Sequence, residues 1–299
     1  MISLTKDHRV FAFDGDAEPA LRVPAGSRVR LETADCFDDQ VREPGDVLAS
    51  VDWDRVNPAT GPVYVQGVGP GDLLAVTIES IDIDAQGVMA VAPGFGVIDG
   101  EFLEIVHRIV PIEAGAARIA DGISVPLRPM IGVIGVAPAG EPVATASPGS
   151  HGGNMDTRLI GAGTVLLLPV VHEGALFAAG DLHAAMGDGE ICGTGVEVSG
   201  SITVRLDVRR DLCITDPVLL THEAYVTIAS AETLDAAAEA ATRNMAGLLT
   251  DRLGVTLELA TMLMSAGGDL QVSQIVDPLR TARFSLPKGV IAGLGGDLL

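Results

Sequence analysis

The chain has 299 residues, of which 47% are hydrophobic, so it is long and apolar enough to bury a large core. Its net charge of -21 disfavours nucleic acid as a partner, because phosphate backbones would repel it. No apolar run is long enough to span a bilayer, and the first residues lack the apolar segment of a secretion signal. We therefore expect a cytoplasmic protein with neither nucleic-acid nor membrane partners.

The first third of the chain is predicted to form β-strands. Leu74, Val76 and Ile78 alternate with smaller or polar residues, which is the period of a half-buried strand. The pair Gly61-Pro62 predicts a turn before the next apolar run. Further strands are predicted at 29–31, 63–65, 130–136, 165–168, 175–179, 201–208 and 224–228.

Two helices are predicted late in the chain. The apolar residues of the first recur mostly every three or four positions; they are Leu234, Ala238, Ala241, Met245, Leu248 and Leu249. Ser230 or Thr233 is expected to cap its start, and Gly254 to end it. The second helix is predicted over roughly 256–265, before Gly267-Gly268. This order predicts a sheet-rich mixed α+β fold in a single domain, 1–299, with two intertwined β-rich subdomains as the alternative.

The residues best suited to chemistry lie between positions 147 and 197. This stretch contains carboxylates and imidazoles among many glycines; the candidates are His151, Asp156, Asp181, His183, Asp188 and Glu190. Glycine allows the main chain to approach a ligand closely, at a cost in folding entropy that a functional site would justify. We therefore expect a site in this stretch.

The spacing of these residues suggests a metal site. Asp181 and His183 are two apart at the end of a predicted strand, so their side chains should share one face. His151 and Asp156 lie on either side of Asn154 in the preceding segment. Mixed imidazole and carboxylate ligands suit zinc or another first-row divalent ion. Asp35, after an earlier strand, is an outlying candidate.

Other hydrolytic mechanisms have less support in the sequence. Amidases that use a Cys/Glu/Lys or Ser-Ser-Lys arrangement need a lysine in the site, and neither Lys6 nor Lys288 lies in such a motif. No GxSxG elbow surrounds Ser147 or Ser150. Cys192 lies near the candidate residues and remains an alternative nucleophile.

Several segments of the chain strongly resemble the acetamidase/formamidase family. They are LETADCFDDQ from Leu31, NPATGPVYVQGVGPGD from Asn57, MIGVIGVAP from Met130, HGGNMDT from His151, GDLHAAMGDGEICGTGVE from Gly180 and SQIVDP from Ser273. The resemblance implies that a short amide is hydrolysed to a carboxylate and ammonia, with a divalent metal bound. It also strengthens the case for Asp35.

The resulting hypothesis is metal-assisted hydrolysis of a small amide substrate. Asp35, Asp181 and His183 are the favoured metal ligands, and His151 and Asp156 come next. The predicted metal is zinc, with calcium as an alternative.

Two further roles complete this hypothesis. Glu190 is the predicted general base, and Asn154 is predicted to stabilise the oxyanion. We expect a homo-oligomer, a dimer or larger. The alternative function is a non-catalytic, metal-stabilised protein that binds a small molecule.

Overall fold

A computed structural model describes residues 1–46, 48–295 and 298–299. Within these residues the chain forms mostly β-structure with three α-helices, α1 (Leu234–Leu253), α2 (Leu257–Gly267) and α3 (Lys288–Ile291). The strands are β1 (Ile2–Leu4), β2 (Arg9–Val10), β3 (Ala12–Phe13), β4 (Leu21–Pro24), β5 (Ser27–Thr33), β6 (Ala59–Gln66), β7 (Leu73–Val91), β8 (Val106–Glu113), β9 (Ala116–Ala120), β10 (Ile123–Pro126), β11 (Met130–Gly135), β12 (Val143–Ala144), β13 (Gly152–Asn154), β14 (Val165–Pro169), β15 (Phe177–His183), β16 (Glu197–Arg209), β17 (Val218–Leu220), β18 (Ala224–Ala231), β19 (Asp269–Gln274) and β20 (Arg280–Pro287). The predicted sheet-rich α+β fold with late helices is confirmed.

The two longest strands, β7 and β16, form the backbone of the sheet. They pair antiparallel, from Leu73 opposite Arg209 to Val88 opposite Glu197, with irregularities in the register between these pairs. The sequence predicts only the first part of β7, around 74–78, because that part alternates and is buried on both faces. The rest of β7 is more exposed, and it is held in strand geometry by its neighbours β8 and β16.

Strand β15 lies at the centre of the fold, and every one of its residues is buried. It pairs antiparallel with β6, β11 and β16. The predicted turn at Gly61-Pro62 is wrong, because both residues lie inside β6. A side chain at Gly61 would come within 2.7 Å of the Phe177 carbonyl oxygen, so this glycine allows β6 to approach β15 closely.

Helix α1 packs against the sheet formed by β18, β19 and β20. The Thr233 side chain accepts a hydrogen bond from the Ala236 amide at its start, and Gly254 ends it with φ 63°. Helix α2 is capped in the same way by Thr256 and runs to Gly267, two residues beyond its predicted end. Among the described residues, no helix has both the length and the apolar composition of a membrane span.

Met245→Ala should destabilise the protein by about 2–5 kcal/mol, because Met245 is fully buried between α1 and the sheet and its removal leaves a cavity. Met262→Ala is the matched control, since Met262 lies on α2 with 67% of its surface exposed and should change stability by less than about 0.5 kcal/mol. Urea unfolding of both variants measures the difference. Equal stability losses would show that α1 does not pack as described.

Candidate active site

The His183 imidazole is the centre of a buried cluster of carboxylates. It lies at the end of β15 with 1% of its surface exposed. Its Nε2 atom is 3.6 Å from Asp181 Oδ1, 3.6 Å from Asp156 Oδ1 and 3.2 Å from Glu197 Oε2. Asp181 and His183 therefore come together as their spacing predicts.

Further side chains complete the cluster. Potential ligand atoms of Asp156, His183 and Glu190 all lie within 4.8 Å of one another. Those of Cys36, Asp181 and Glu197 form a second such group. The two groups are adjacent because His183 of the first contacts Glu197 of the second.

Two glycines provide the space that this cluster occupies. Gly132 on β11 lies opposite Asp181, and a side chain there would come within 2.5 Å of carboxylate oxygens of both Asp156 and Asp181. A side chain at Gly195 would come within 2.5 Å of His183 Nδ1. Any larger residue at either position would displace the cluster.

The backbone is strained at the residues that supply the carboxylates. Asp156, Asp181 and Glu190 have φ angles of 40°, 55° and 47°, in the left-handed region that non-glycine residues seldom adopt. Each such residue costs about 1–3 kcal/mol, and strain of this kind is concentrated at functional sites. The strain is consistent with a functional role for these side chains.

Burial and mutual repulsion shift the protonation of the cluster. Burial raises the pKa of Asp156 to about 6 and that of Glu197 to about 8, in each case against the opposing effect of His183. Burial, followed by the Asp156 carboxylate, raises the pKa of both Glu190 and Asp277 well above the usual values. Burial lowers the pKa of His183, but Glu197 and Asp181 together raise it well above 6.5.

Many polar atoms in the cluster have no hydrogen-bond partner in the protein. They are both oxygens of Asp156, Asp181 Oδ1, His183 Nδ1, Glu197 Oε2 and Asp277 Oδ2. Buried polar atoms are almost always hydrogen-bonded, and leaving one unpaired costs about 1–3 kcal/mol. A cation surrounded by these oxygens and the imidazole would satisfy several of them at once.

The Asp188 carboxylate pairs with arginines, whereas that of Glu190 lies in the cluster. Asp188 points away from the cluster and accepts hydrogen bonds from Arg283 at 2.7 Å and pairs with Arg158 at 2.9 Å. The adjacent Gly189 amide donates to the Ser273 carbonyl oxygen at 2.8 Å. These contacts anchor the loop that carries Glu190 to β19 and β20.

Some residues predicted from the sequence lie outside both ligand groups. The Asp35 carboxylate accepts hydrogen bonds from the Phe37 and Asp39 amides and lies 3.4 Å from Arg42. His151 packs edge-on against Phe13, and burial lowers its pKa to about 4. Their roles as ligands remain predictions.

Asn154 and Cys192 have less direct links to the cluster. Asn154 is buried on β13, and its Oδ1 has no hydrogen-bond partner. The Cys192 thiol donates to the Thr194 carbonyl oxygen at 3.3 Å and belongs to neither ligand group among the described residues. The proposed oxyanion role of Asn154 also remains a prediction.

Sequence reasoning missed Glu197, Cys36 and Asp277 as site residues. Glu197 reaches His183 because β15 and β16 pair these two residues directly. All three lie within the sequence segments that resemble the family, at 31–40, 180–197 and 273–278. The resemblance to the family could therefore have indicated these three residues, although their spacing in the sequence predicts no role for them.

Comparison with known proteins identifies the family of the chain. The model of the acetamidase/formamidase family matches residues 6–144 and 139–291. The chain belongs to this family. A crystal structure of an acetamidase from Bacillus halodurans is 48% identical and superposes with a TM-score of 0.96, covering 98% of this chain and 100% of that one.

Other members of the acetamidase/formamidase family are also similar. The structure of a predicted acetamidase/formamidase from Thermoanaerobacter tengcongensis is 44% identical with a TM-score of 0.96, covering 98% of each chain. The acetamidase of Mycolicibacterium smegmatis is 27% identical over an alignment that covers 64% of each protein. The chain thus spans slightly less than two thirds of the length of the curated relatives it matches.

The pKa shifts predict that the metal-free protein loses stability as the pH rises from 5 to 8. Asp156, Glu197 and His183 bind protons more tightly in the folded chain than in the unfolded chain. Their contribution to stability is therefore full below about pH 4, and it is lost as the pH rises through about 6 for Asp156 and about 8 for Glu197. Urea unfolding of chelator-treated protein at several pH values measures this slope.

Glu197→Gln removes one of these titrating groups and should make the slope shallower, whereas Glu173→Gln on the exposed surface should leave it unchanged. Stability that rises between pH 5 and 8 would contradict the burial of these groups.

Proposed function

We propose that the protein is a metal-dependent amidase that hydrolyses a short amide to a carboxylate and ammonia. One observation supports this most strongly: an imidazole and several carboxylates meet in a buried cluster in which several oxygens lack hydrogen-bond partners. The names of the relatives point to amide hydrolysis as the reaction. The unpartnered oxygens beside the His183 imidazole support a bound metal.

Asp156, Asp181 and His183 would hold the metal. These residues are 1–2% exposed, and one oxygen of each carboxylate lies 3.6 Å from His183 Nε2. Gly132 leaves room beside the two carboxylates. A divalent ion bound here would lower the pKa of a coordinated water to about 7 and would polarise the amide carbonyl. An imidazole among the ligands favours zinc over calcium, since calcium takes 6–8 oxygen ligands.

Glu190 is the residue that we assign to proton transfer. Burial, followed by the Asp156 carboxylate, raises its pKa well above the usual value, and a raised pKa favours a glutamate that takes up a proton and returns it. It would accept a proton from water as the water oxygen bonds to the amide carbon. It would then deliver that proton to the nitrogen as the carbon–nitrogen bond breaks.

The remaining protein groups would orient these reactants. Asp188, held by Arg158 and Arg283, fixes the position of the loop that carries Glu190. The Asn154 amide is our candidate donor to the developing oxyanion. We also propose that the protein is cytoplasmic and forms a homo-oligomer.

Removal of the metal should abolish ammonia release and lower the melting temperature, because the unpartnered carboxylates would then repel one another. Chelation and dialysis, followed by re-addition of zinc, test this through metal content, turnover of acetamide and thermal unfolding in one preparation. Full activity in protein stripped of metal would eliminate the mechanism.

Glu190→Gln should reduce turnover by about 10²–10⁴-fold, because it removes the basic group and keeps the shape of the side chain. Metal content should stay the same if Glu190 moves protons, and it should fall with activity if Glu190 is a ligand. Glu173→Gln is a matched control on the exposed surface. Unaltered turnover in Glu190→Gln would exclude both roles.

A further inference from the structure

A cavity of about 240 Å³ lies next to the carboxylate cluster. Two of the residues that line it, Cys36 and Asp277, also contact the cluster. The Cys36 thiol is within 4.8 Å of ligand atoms of Asp181 and Glu197. The Asp277 carboxyl group lies against Asp156, which raises its pKa. The cavity therefore leads to the reacting groups.

The wall of this cavity is aromatic in a chain that has few aromatic residues. The sequence contains one tryptophan, two tyrosines and seven phenylalanines. Trp53, Phe37 and Phe95 all line the cavity. The Trp53 ring centroid is 6.4 Å from that of Phe37 and 5.4 Å from that of Phe95. Rings at these distances pack favourably and form a continuous apolar surface.

The aromatic wall is joined to the loop that carries Glu190. Phe95 follows a strand distant in sequence, yet the nearby Val97 amide donates to the Ile191 carbonyl oxygen at 2.8 Å. Trp53 remains 41% exposed although it packs against both phenylalanines. An exposed tryptophan at the mouth of a cavity is suited to contact a ligand that enters from solvent.

The cavity is suited to a neutral, apolar group. Of the described residues that line it, only Cys36 and Asp277 are ionisable, so no basic side chain is there to bind an anion. The cavity volume of about 240 Å³ is far above the roughly 10–15 Å³ that one water molecule requires by this measure. This is considerably more space than the methyl group of acetamide would fill.

We propose that the substrate is a primary amide whose acyl group is apolar and larger than acetyl. Its acyl group contacts Phe37, Trp53 and Phe95, and its carboxamide lies toward Asp277 and the cluster. This inference rests on the proposed amidase function and adds the substrate class. An apolar pocket discriminates between acyl groups by about 10–200-fold for each methylene that it buries.

A substrate series tests this directly. The metal-loaded protein is assayed for ammonia release from formamide, acetamide, butyramide and phenylacetamide. The value of kcat/KM should rise at least about tenfold from acetamide to butyramide or phenylacetamide. Formamide or acetamide as the best substrate would overturn the substrate class and leave the amidase function intact. A folded, metal-loaded protein that hydrolyses none of the four would instead overturn the amidase function.

Variants of Trp53 test the aromatic wall. Trp53→Ala should lower the ratio of kcat/KM for phenylacetamide to that for acetamide by about tenfold, mainly through KM, since apolar contact is lost. Trp53→Leu, which keeps an apolar side chain, should lose less. Phe102→Ala, a half-buried phenylalanine outside the wall, is the control and should keep the wild-type ratio. An unchanged ratio in both Trp53 variants would overturn the proposed contact.

The single tryptophan also provides a measurement of binding that is independent of turnover. Glu190→Gln is expected to bind amide and hydrolyse it slowly. Titration with phenylacetamide should shift the fluorescence emission of Trp53 until the shift reaches a plateau. Acetamide should cause the same shift only at a much higher concentration. If phenylacetamide causes no emission shift up to its solubility limit, this result would contradict contact between the acyl group and the Trp53 ring.

Discussion

The carboxylates of Asp156, Asp181, Glu190 and Glu197 surround the His183 imidazole almost out of contact with water. Buried like charges repel strongly, and desolvation adds several kcal/mol for each ion that stays ionised. One imidazole cannot neutralise this much negative charge. The fold must therefore either keep these groups protonated or supply a cation, and a bound cation would also satisfy the unpartnered oxygens.

The surrounding structure is consistent with this constraint. Strands β11, β15 and β16 are hydrogen-bonded neighbours, so their side chains hold the cluster on a rigid sheet. Gly132 keeps the facing strand free of a side chain where two carboxylates approach it. The left-handed backbone at Asp181 and Glu190 stores strain that only a well-packed environment can maintain. The strands hold Asp181, His183 and Glu197 in place, since positions on strands are more precise than positions on loops.

Sequence patterns predicted the local features of this site well. The two-residue spacing of Asp181 and His183 correctly predicted that their side chains come together, and Glu190, a candidate from the same stretch, lies beside His183. The helix α1 was predicted to be capped by Ser230 or Thr233 and to end at Gly254, and the structure has the cap at Thr233. Each of these depends on contacts between residues that are close in sequence.

The features that could not be predicted depend on contacts between distant segments. Glu197 joins His183 through strand pairing, and Asp277 reaches Asp156 from a segment more than a hundred residues away. Periodicity carries no information on which strands become neighbours. For the same reason it could not show that His151 packs against Phe13, outside the groups around His183.

A crystal structure of the protein as purified, with anomalous diffraction measured on both sides of the zinc absorption edge, tests the central claim most directly. The account predicts an anomalous peak about 2.0–2.2 Å from a nitrogen of His183 and from oxygens of Asp156 or Asp181. A catalytically active preparation whose crystals show no metal within this cluster would contradict it.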